Sequence, residues 1–231
     1  MYWLDKHLRF PHPQYADAEG LLAIGGDLSL SRLLLAYENG IFPWFNEGDP
    51  ILWWSPDPRF ILYPSSVKVS KSMKRIVRKR YFEIRYDTAF IQVLDACASI
   101  PRRGQEGTWL IEEMKEAYIE LHENGLAHSV EAWLDGELVG GLYGVSLGRC
   151  FFGESMFAKV SNASKACLID LGQQLAQLDF LLIDCQIHTT HLERMGGEYM
   201  DRDDFLAILE KNKSLPTLKG KWQFGNKQRG S

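Results

Sequence analysis

The run Phe180 to Ile183 is wholly apolar and leads directly into Asp184-Cys185-Gln186, so two polar side chains sit at the end of what reads as a buried strand. Strand side chains alternate between faces, which predicts Asp184 and Gln186 on one face and Cys185 on the other. Open α/β sheets favour ligand sites at the carboxyl ends of their strands. An aspartate there can orient or polarise an amide, help take a proton from an attacking amine, or simply cap the next turn. A second carboxylate, Glu154, stands alone in Phe151-Phe152-Gly153-Glu154-Ser155-Met156-Phe157. An unpartnered carboxylate is costly to bury, so Glu154 is expected to meet a donor cluster or a cation, internal or brought by a substrate.

Other reactive types fall into no working pattern. His7, His12, His122 and His128 are scattered, and His188-Thr189-Thr190-His191 lacks the glutamate of a zinc-protease helix, so no metal site is expected. Ser155 lacks the second glycine of a nucleophile elbow. Cys97, Cys150, Cys167 and Cys185 form no C-x-x-C pair and read as reduced, mostly buried thiols. Gly25-Gly26 has neither phosphate-loop nor dinucleotide spacing and reads as a turn. The first twenty residues, with Asp5, Lys6, His7 and Arg9, hold no apolar core of a secretory signal, and no run of roughly 18 apolar residues follows. The expected place of work is the cytoplasm.

Charge is unevenly spread. The chain has 26 basic and 30 acidic residues, net -4, yet Lys68, Lys71, Lys74, Arg75, Arg78, Lys79 and Arg80 lie together with no acidic residue among them. The remainder therefore carries 19 basic against 30 acidic residues, or -11. Such a body would not coat DNA along its length, but one basic patch can hold one polyanion by its phosphates. From Ile41 to Arg59, four prolines break regular structure while Phe42, Trp44, Phe45, Trp53 and Trp54 crowd into thirteen positions. These rings can pin a loop into the core or line a stacking pocket for a base or an apolar side chain.

The elements that must position these groups follow from pattern. Asp27 or Ser29 can cap a helix over 31–37, with Gly40 at its stop. Pro64 to Ser66 reads as a boundary, giving an N-terminal unit over 1–63 and a larger one over 64–231. Ser70 can cap a helix with Met73, Ile76 and Val77 on one face and its cations on the other. A strand over 82–86 precedes a helix that Asp87 can cap, and another helix covers 111–123. Asp135-Gly136 marks a hairpin between strands 128–133 and 137–145. A short strand over 149–153, a helix over 162–178 and the apolar strand complete an α/β unit with a mixed sheet and flanking helices.

In order along the chain, GLLAIGGDLS, GIFPWF, ILWWSPDPR, SMKR, EGTWL, HSVEAW, GELVGGLYG, FFGESMF, NASK and LIDCQ resemble the leucyl/phenylalanyl-tRNA–protein transferases. The resemblance spans nearly the whole chain. It implies transfer of Leu or Phe, less well Met, from aminoacyl-tRNA to the N-terminal Arg or Lys of an acceptor protein, marking it for N-end-rule degradation. It also implies a small N-terminal domain on an acetyltransferase-like domain, and no cofactor. By motif, Asp184 and Gln186 match the family's catalytic pair, Glu154 its acidic site residue, and Trp44, Trp109 and Phe151 the surroundings of the aminoacyl-adenosine pocket. An aminoacyl ester is already activated, so the transfer needs positioning, the handling of one proton and a stabilised oxyanion rather than ATP. A neutral amide is a poor proton acceptor, so Asp184 and Gln186 read as orienting groups, with a ribose hydroxyl of the tRNA as a candidate relay. An acyl-CoA-dependent N-acetyltransferase is the alternative enzyme, but its Q/R-x-x-G-x-G/A loop is missing. A non-catalytic RNA-binding module is the alternative outside catalysis.

Overall fold

The computed structural model describes residues 2–99 and 110–224. Near the N-terminus, β1 (Tyr2–Leu4), β2 (Leu21–Gly25), β3 (Phe42–Pro43) and β4 (Leu52–Trp54) form a small sheet in the order β1-β2-β4-β3, with α1 (Leu30–Glu38) between β2 and β3. The chain continues through β5 (Arg59–Leu62), α2 (Lys71–Arg78), β6 (Glu83–Tyr86), α3 (Phe90–Ser99), α4 (Glu112–Glu123), β7 (Ala127–Leu134), β8 (Glu137–Leu147) and β9 (Cys150–Ala158). It ends with α5 (Ala163–Gln177), β10 (Leu182–Asp184), α6 (Thr190–Arg194), β11 (Glu198–Met200) and α7 (Arg202–Asn212). The large sheet runs β11-β5-β10-β9-β8-β7-β6. Each sheet contains one parallel pair, β1 with β2 and β10 with β9, so both are mixed, as the α/β reading expected.

Local signals act as their residue types require. Asp135 and Gly136 both take positive φ, 51° and 83°, the backbone of a two-residue hairpin turn. Ser70 caps α2 by accepting the Met73 N–H at 3.2 Å. Met73 is buried and Ile76 half-buried beneath that helix, whereas Val77 is exposed, against the expected apolar face. Ser29 is the N-cap residue of α1 without a side-chain cap bond, and the Asp27 carboxylate takes the Ser29 N–H instead. All four cysteines are free, with Cys97, Cys150 and Cys167 buried.

Asp87 does not cap α3. Its backbone lies in the left-handed region, φ 53°, and its carboxylate accepts from the Ser129 N–H, the Trp222 N–H and the His128 ring. The start of α3 is served from the neighbouring strand: Glu131, fully buried, accepts from the Thr88 and Ala89 N–H groups and from the hydroxyls of Thr88 and Ser129. A cross-strand carboxylate thus supplies the cap that local sequence assigned to Asp87.

The strand expected over 149–153 runs from Cys150 to Ala158, because its pairing with β8 resumes beyond a bulge. Tyr143 pairs with Ser155 and Gly144 with Gly153, so Glu154 is the extra residue. Side-chain parity switches there. Phe152 and Phe157 face the core packed by α1, α3, α4 and α7, while Phe151 and Met156 face the core packed by α2 and α5.

β5 lies before the boundary expected at 63/64 but pairs within the large sheet, between β10 and β11. It carries Arg59, whose Nε and Nη2 donate to the two carboxylate oxygens of Asp184 at 2.8 and 2.6 Å. Its Nη1 donates to the Gly40 carbonyl at 3.1 Å, and its guanidinium lies 4.8 Å from the ring centroids of both Phe42 and Phe205. Both charged side chains are essentially sealed from water. Asp184→Ala leaves an uncompensated buried cation and is expected to lower stability by about 3–5 kcal/mol. Urea unfolding at neutral pH measures this, and a drop below about 1 kcal/mol would contradict the assigned role of the pair.

Candidate active site

β9 and β10 pair only from Cys150 to Phe152 and from Leu182 to Asp184. Beyond that point β9 continues while the chain after β10 turns away, and a cleft of ≈ 540 Å³ opens between them. Leu142, Phe151, Met156, Leu168, Leu171 and Ile183 give it an apolar wall, and Glu154, Gln186, Ser155 and Ser164 add polar groups. Phe151 reaches this wall because residue 144 is glycine. A Cβ there would stand 2.2 Å from the Phe152 carbonyl oxygen and 2.7 Å from the Phe151 ring.

The expected alternation through Asp184-Cys185-Gln186 fails at its last residue. Gln186 adopts φ 64°, a left-handed conformation that costs a residue with a Cβ roughly 1–2 kcal/mol. Asp184 supports it by accepting the Gln186 N–H at 2.9 Å. The strand therefore ends with Asp184 facing Arg59 in the interior, while Cys185 and Gln186 both line the cleft. Asp184 sits behind the site rather than on its surface.

The Gln186 side chain donates from Nε2 to Glu154 Oε1 at 2.9 Å. Tyr37 on α1 donates to the same oxygen at 2.8 Å, and Tyr118 on α4 donates to Oε2 at 2.6 Å. The two phenol oxygens are themselves 2.9 Å apart. Glu154 has met a donor cluster, one of the two environments expected for it, and the bulge aims it there. Burial raises its pKa to about 7, the nearby Asp184 charge adds to the rise, and the phenol and amide hydrogen bonds oppose it. Burial and the Glu154 charge hold both phenols well above their ordinary range, so they stay protonated near neutrality.

Trp44 is half-buried at the cleft, its ring 5.7 Å from that of Trp54. Phe42 also lines the cleft, while Phe45 and Trp53 belong to the core, so some rings of this loop pin it to the core and others border the cleft. Trp109 lies outside the described residues. Lys68, Lys71, Lys74, Arg75, Arg78, Lys79 and Arg80 are all exposed on and around α2 and do not line the cleft. Tyr37, Tyr118 and Arg59 were not singled out by sequence. The tyrosines occupy ordinary apolar positions on their helices, and the one available signal was that a buried phenol needs a partner. Among the described residues, no cluster of three or more His, Cys, Asp or Glu could hold a metal ion, and no helix is long and apolar enough to cross a membrane.

The raised pKa fixes the sign of a stability effect. A carboxyl that holds its proton more tightly when folded contributes fully below its unfolded pKa and loses that contribution as pH rises through the folded value. Glu154 should therefore cost stability progressively from about pH 4.5 to about pH 7 and no more above that. Glu154→Gln resembles the protonated form, so it should gain on wild type across this window by roughly 3 kcal/mol. Thermal unfolding of both proteins between these pH values checks it, and a constant difference would contradict the assignment.

The family model for leucyl/phenylalanyl-tRNA protein transferase matches residues 61–210, and the model for that family's N-terminal domain matches residues 26–57. The leucyl/phenylalanyl-tRNA–protein transferase of Syntrophus aciditrophicus is 55% identical over 219 residues, covering 95% of this chain and 92% of its own. That of Myxococcus xanthus is 54% identical, covering 96% of this chain and 95% of its own. Among solved structures, a GCN5-related N-acetyltransferase-like protein from Streptococcus suis is similar at a TM-score of 0.35, with 16% identity over 78% of this chain and 68% of that one. Identity of this extent along almost the full length establishes that the chain belongs to the leucyl/phenylalanyl-tRNA–protein transferase family.

Proposed function

We propose that this aminoacyltransferase moves Leu or Phe, and Met less well, from aminoacyl-tRNA to the N-terminal Arg or Lys of acceptor proteins in the cytoplasm, marking them for N-end-rule degradation. The observation that carries this reading is the cleft itself, an apolar wall meeting the Glu154–Gln186 pair at the end of β10. Its ≈ 540 Å³ falls within the range of small-ligand sites. The donor side chain lies against Phe151, Met156 and Leu168, and the terminal adenosine lies toward Trp44. The ester carbonyl then falls near Glu154 and Gln186, where the acceptor amine enters. Holding amine and ester together supplies several kcal/mol of the barrier by proximity. Asp184 and Gln186 act by position: Arg59 locks Asp184, Asp184 locks the Gln186 backbone, and the Gln186 amide faces the reacting groups. The division at 63/64 makes β5 a strand lent by the first unit to the sheet of the second, which fixes their mutual placement.

Transfer from charged tRNA to an Arg-initiated peptide tests the reading. Leu and Phe carry no branch at Cβ, whereas Ile and Val do, next to the ester and against a Phe151 ring already pressed onto Gly144. A misfit on the scale of a methylene is worth about 1–3 kcal/mol, so Ile should transfer roughly 10- to 200-fold more slowly than Leu. Lys, a cation in an apolar pocket, should transfer far less. Equal rates for Leu and Ile would refute the pocket.

The tRNA body is assigned to the exposed cations of α2 and its flanks. Removing one cation that neutralises a duplex phosphate should lower the slope of log affinity against log salt by about 0.9. Lys74→Ala, Arg75→Ala and Arg78→Ala measured singly, then together, should show that decrement. An unchanged slope in all of them would leave the patch a solvated surface.

A further inference from the structure

Three short oxygen-to-oxygen approaches close a ring behind the cleft wall, which Glu154 reaches: Tyr37 to Glu154 at 2.8 Å, Glu154 to Tyr118 at 2.6 Å, and Tyr118 to Tyr37 at 2.9 Å. Each is short enough to require a hydrogen. With Glu154 ionised, the two phenols hold only two hydrogens for three approaches, and one of these is a bare pair of oxygens. One added proton completes the circuit: Glu154 donates to Tyr118, Tyr118 to Tyr37, and Tyr37 back to the other Glu154 oxygen. The arrangement is built to accept one proton and to be satisfied by it.

The other groups in the neighbourhood are poorly suited to that task. Asp184 is sealed and bound through both oxygens to Arg59. Gln186 is a neutral amide. His191, which also lines the cleft, has a buried Nε2, and burial and the Lys165 charge lower its pKa. Tyr143 on β8 packs edge-on against the Tyr118 ring. The charged and titratable groups facing Glu154 are thus Tyr37 from α1, Tyr118 from α4, Tyr143 from β8, and Asp184 with its partner Arg59 from β10 and β5.

Resting on the aminoacyl-transfer reading above, we propose that the Glu154–Tyr37–Tyr118 ring is the proton acceptor of the reaction. The acceptor α-amine arrives largely as an ammonium, since its ordinary pKa is about 8. Ionised Glu154 takes one proton from it, becoming a neutral carboxyl within the closed ring and leaving a free amine. The amine lone pair forms the new C–N bond at the ester carbonyl, and the bond between that carbon and the ribose oxygen breaks. The second amine proton goes to the departing ribose oxygen, which leaves as a hydroxyl. Glu154 then returns its proton to water, so one proton is released per transfer. The pKa of about 7 suits a group that must both take and return a proton near neutrality.

Single-turnover transfer from Leu-tRNA at saturating acceptor, followed from about pH 5.5 to 9, tests this with two acceptors whose amine pKa values differ. The expected wild-type profile has a break near pH 7 that both acceptors share, in addition to the break belonging to each amine. Glu154→Gln can keep the ring by giving its amide N–H to Tyr118. It should fold and bind Leu-tRNA, fall about 10²- to 10⁴-fold in rate, and no longer show the shared break. Tyr118→Phe removes a donor to the carboxylate and should move that break to higher pH. Infrared difference spectra of the free protein provide a readout that needs no turnover: a protonated-carboxyl band should grow in as pH falls through about 7 in wild type and be missing in Glu154→Gln. A Glu154→Gln rate within about threefold of wild type, a shared break that survives in that variant, or no such band would overturn the proposal. A wild-type protein that shows the infrared titration but transfers from no aminoacyl-tRNA would overturn the functional reading and leave the proton-binding ring standing without that role.

Discussion

The site depends on a buried ion pair that touches no part of the cleft. Arg59 and Asp184 come from strands 125 positions apart in sequence and meet through two hydrogen bonds away from water. Removing two charges from water is costly, and the cost is met only when the remaining donors and acceptors are used. They are used here. The third guanidinium nitrogen reaches the Gly40 carbonyl, two aromatic rings cover the faces, and Asp184 also accepts the Gln186 N–H. That last bond connects the interior to the cleft, because it holds Gln186 in the left-handed conformation from which its amide reaches Glu154. The pair is thus an anchor for orientation, drawing β5, β10, the end of α1 and α7 to one point.

The consequence for chemistry is a division between two carboxylates of the same protein. Asp184, beside a cation, has its charge compensated in place. Glu154, enclosed by neutral donors and repelled by Asp184, has its pKa lifted to about 7. The two surroundings suit different work, one carboxylate held to fix geometry and the other, in the proposed reaction, placed to exchange a proton. The donor ester needs little else, since it is activated before it arrives.

Much of the scaffold was legible because its signals are local. The Asp135-Gly136 hairpin, the Ser70 cap and the alternating helices and strands each depend on a few neighbouring residues. Glu154 and the Asp184–Gln186 end of β10 were legible for the same reason, as polar residues in apolar surroundings. What local pattern could not supply were partners distant in sequence. Arg59 read as the end of a proline-rich loop, Tyr37 and Tyr118 as helix core, and Glu131 as one more strand residue. Asp87 was assigned to a helix cap that Glu131 fills from the next strand. The strict alternation expected through Gln186 failed because one residue took a positive φ, a choice that a tertiary hydrogen bond stabilises and that no period in the sequence records.

The bulge at Glu154 ties specificity to chemistry. In an unbroken strand, Phe151 and Met156 are five positions apart and would point to opposite faces. One extra residue restores them to the same face, where both line the cleft, and returns Phe152 and Phe157 together to the other core. The extra residue is Glu154 itself, released from the ladder and free to turn toward the two tyrosines. Restoring strict pairing would remove the carboxylate from its ring and one wall from the apolar pocket in the same step. A single irregularity of backbone therefore places the proposed proton acceptor next to the wall proposed to read the side chain, and neither can drift without the other.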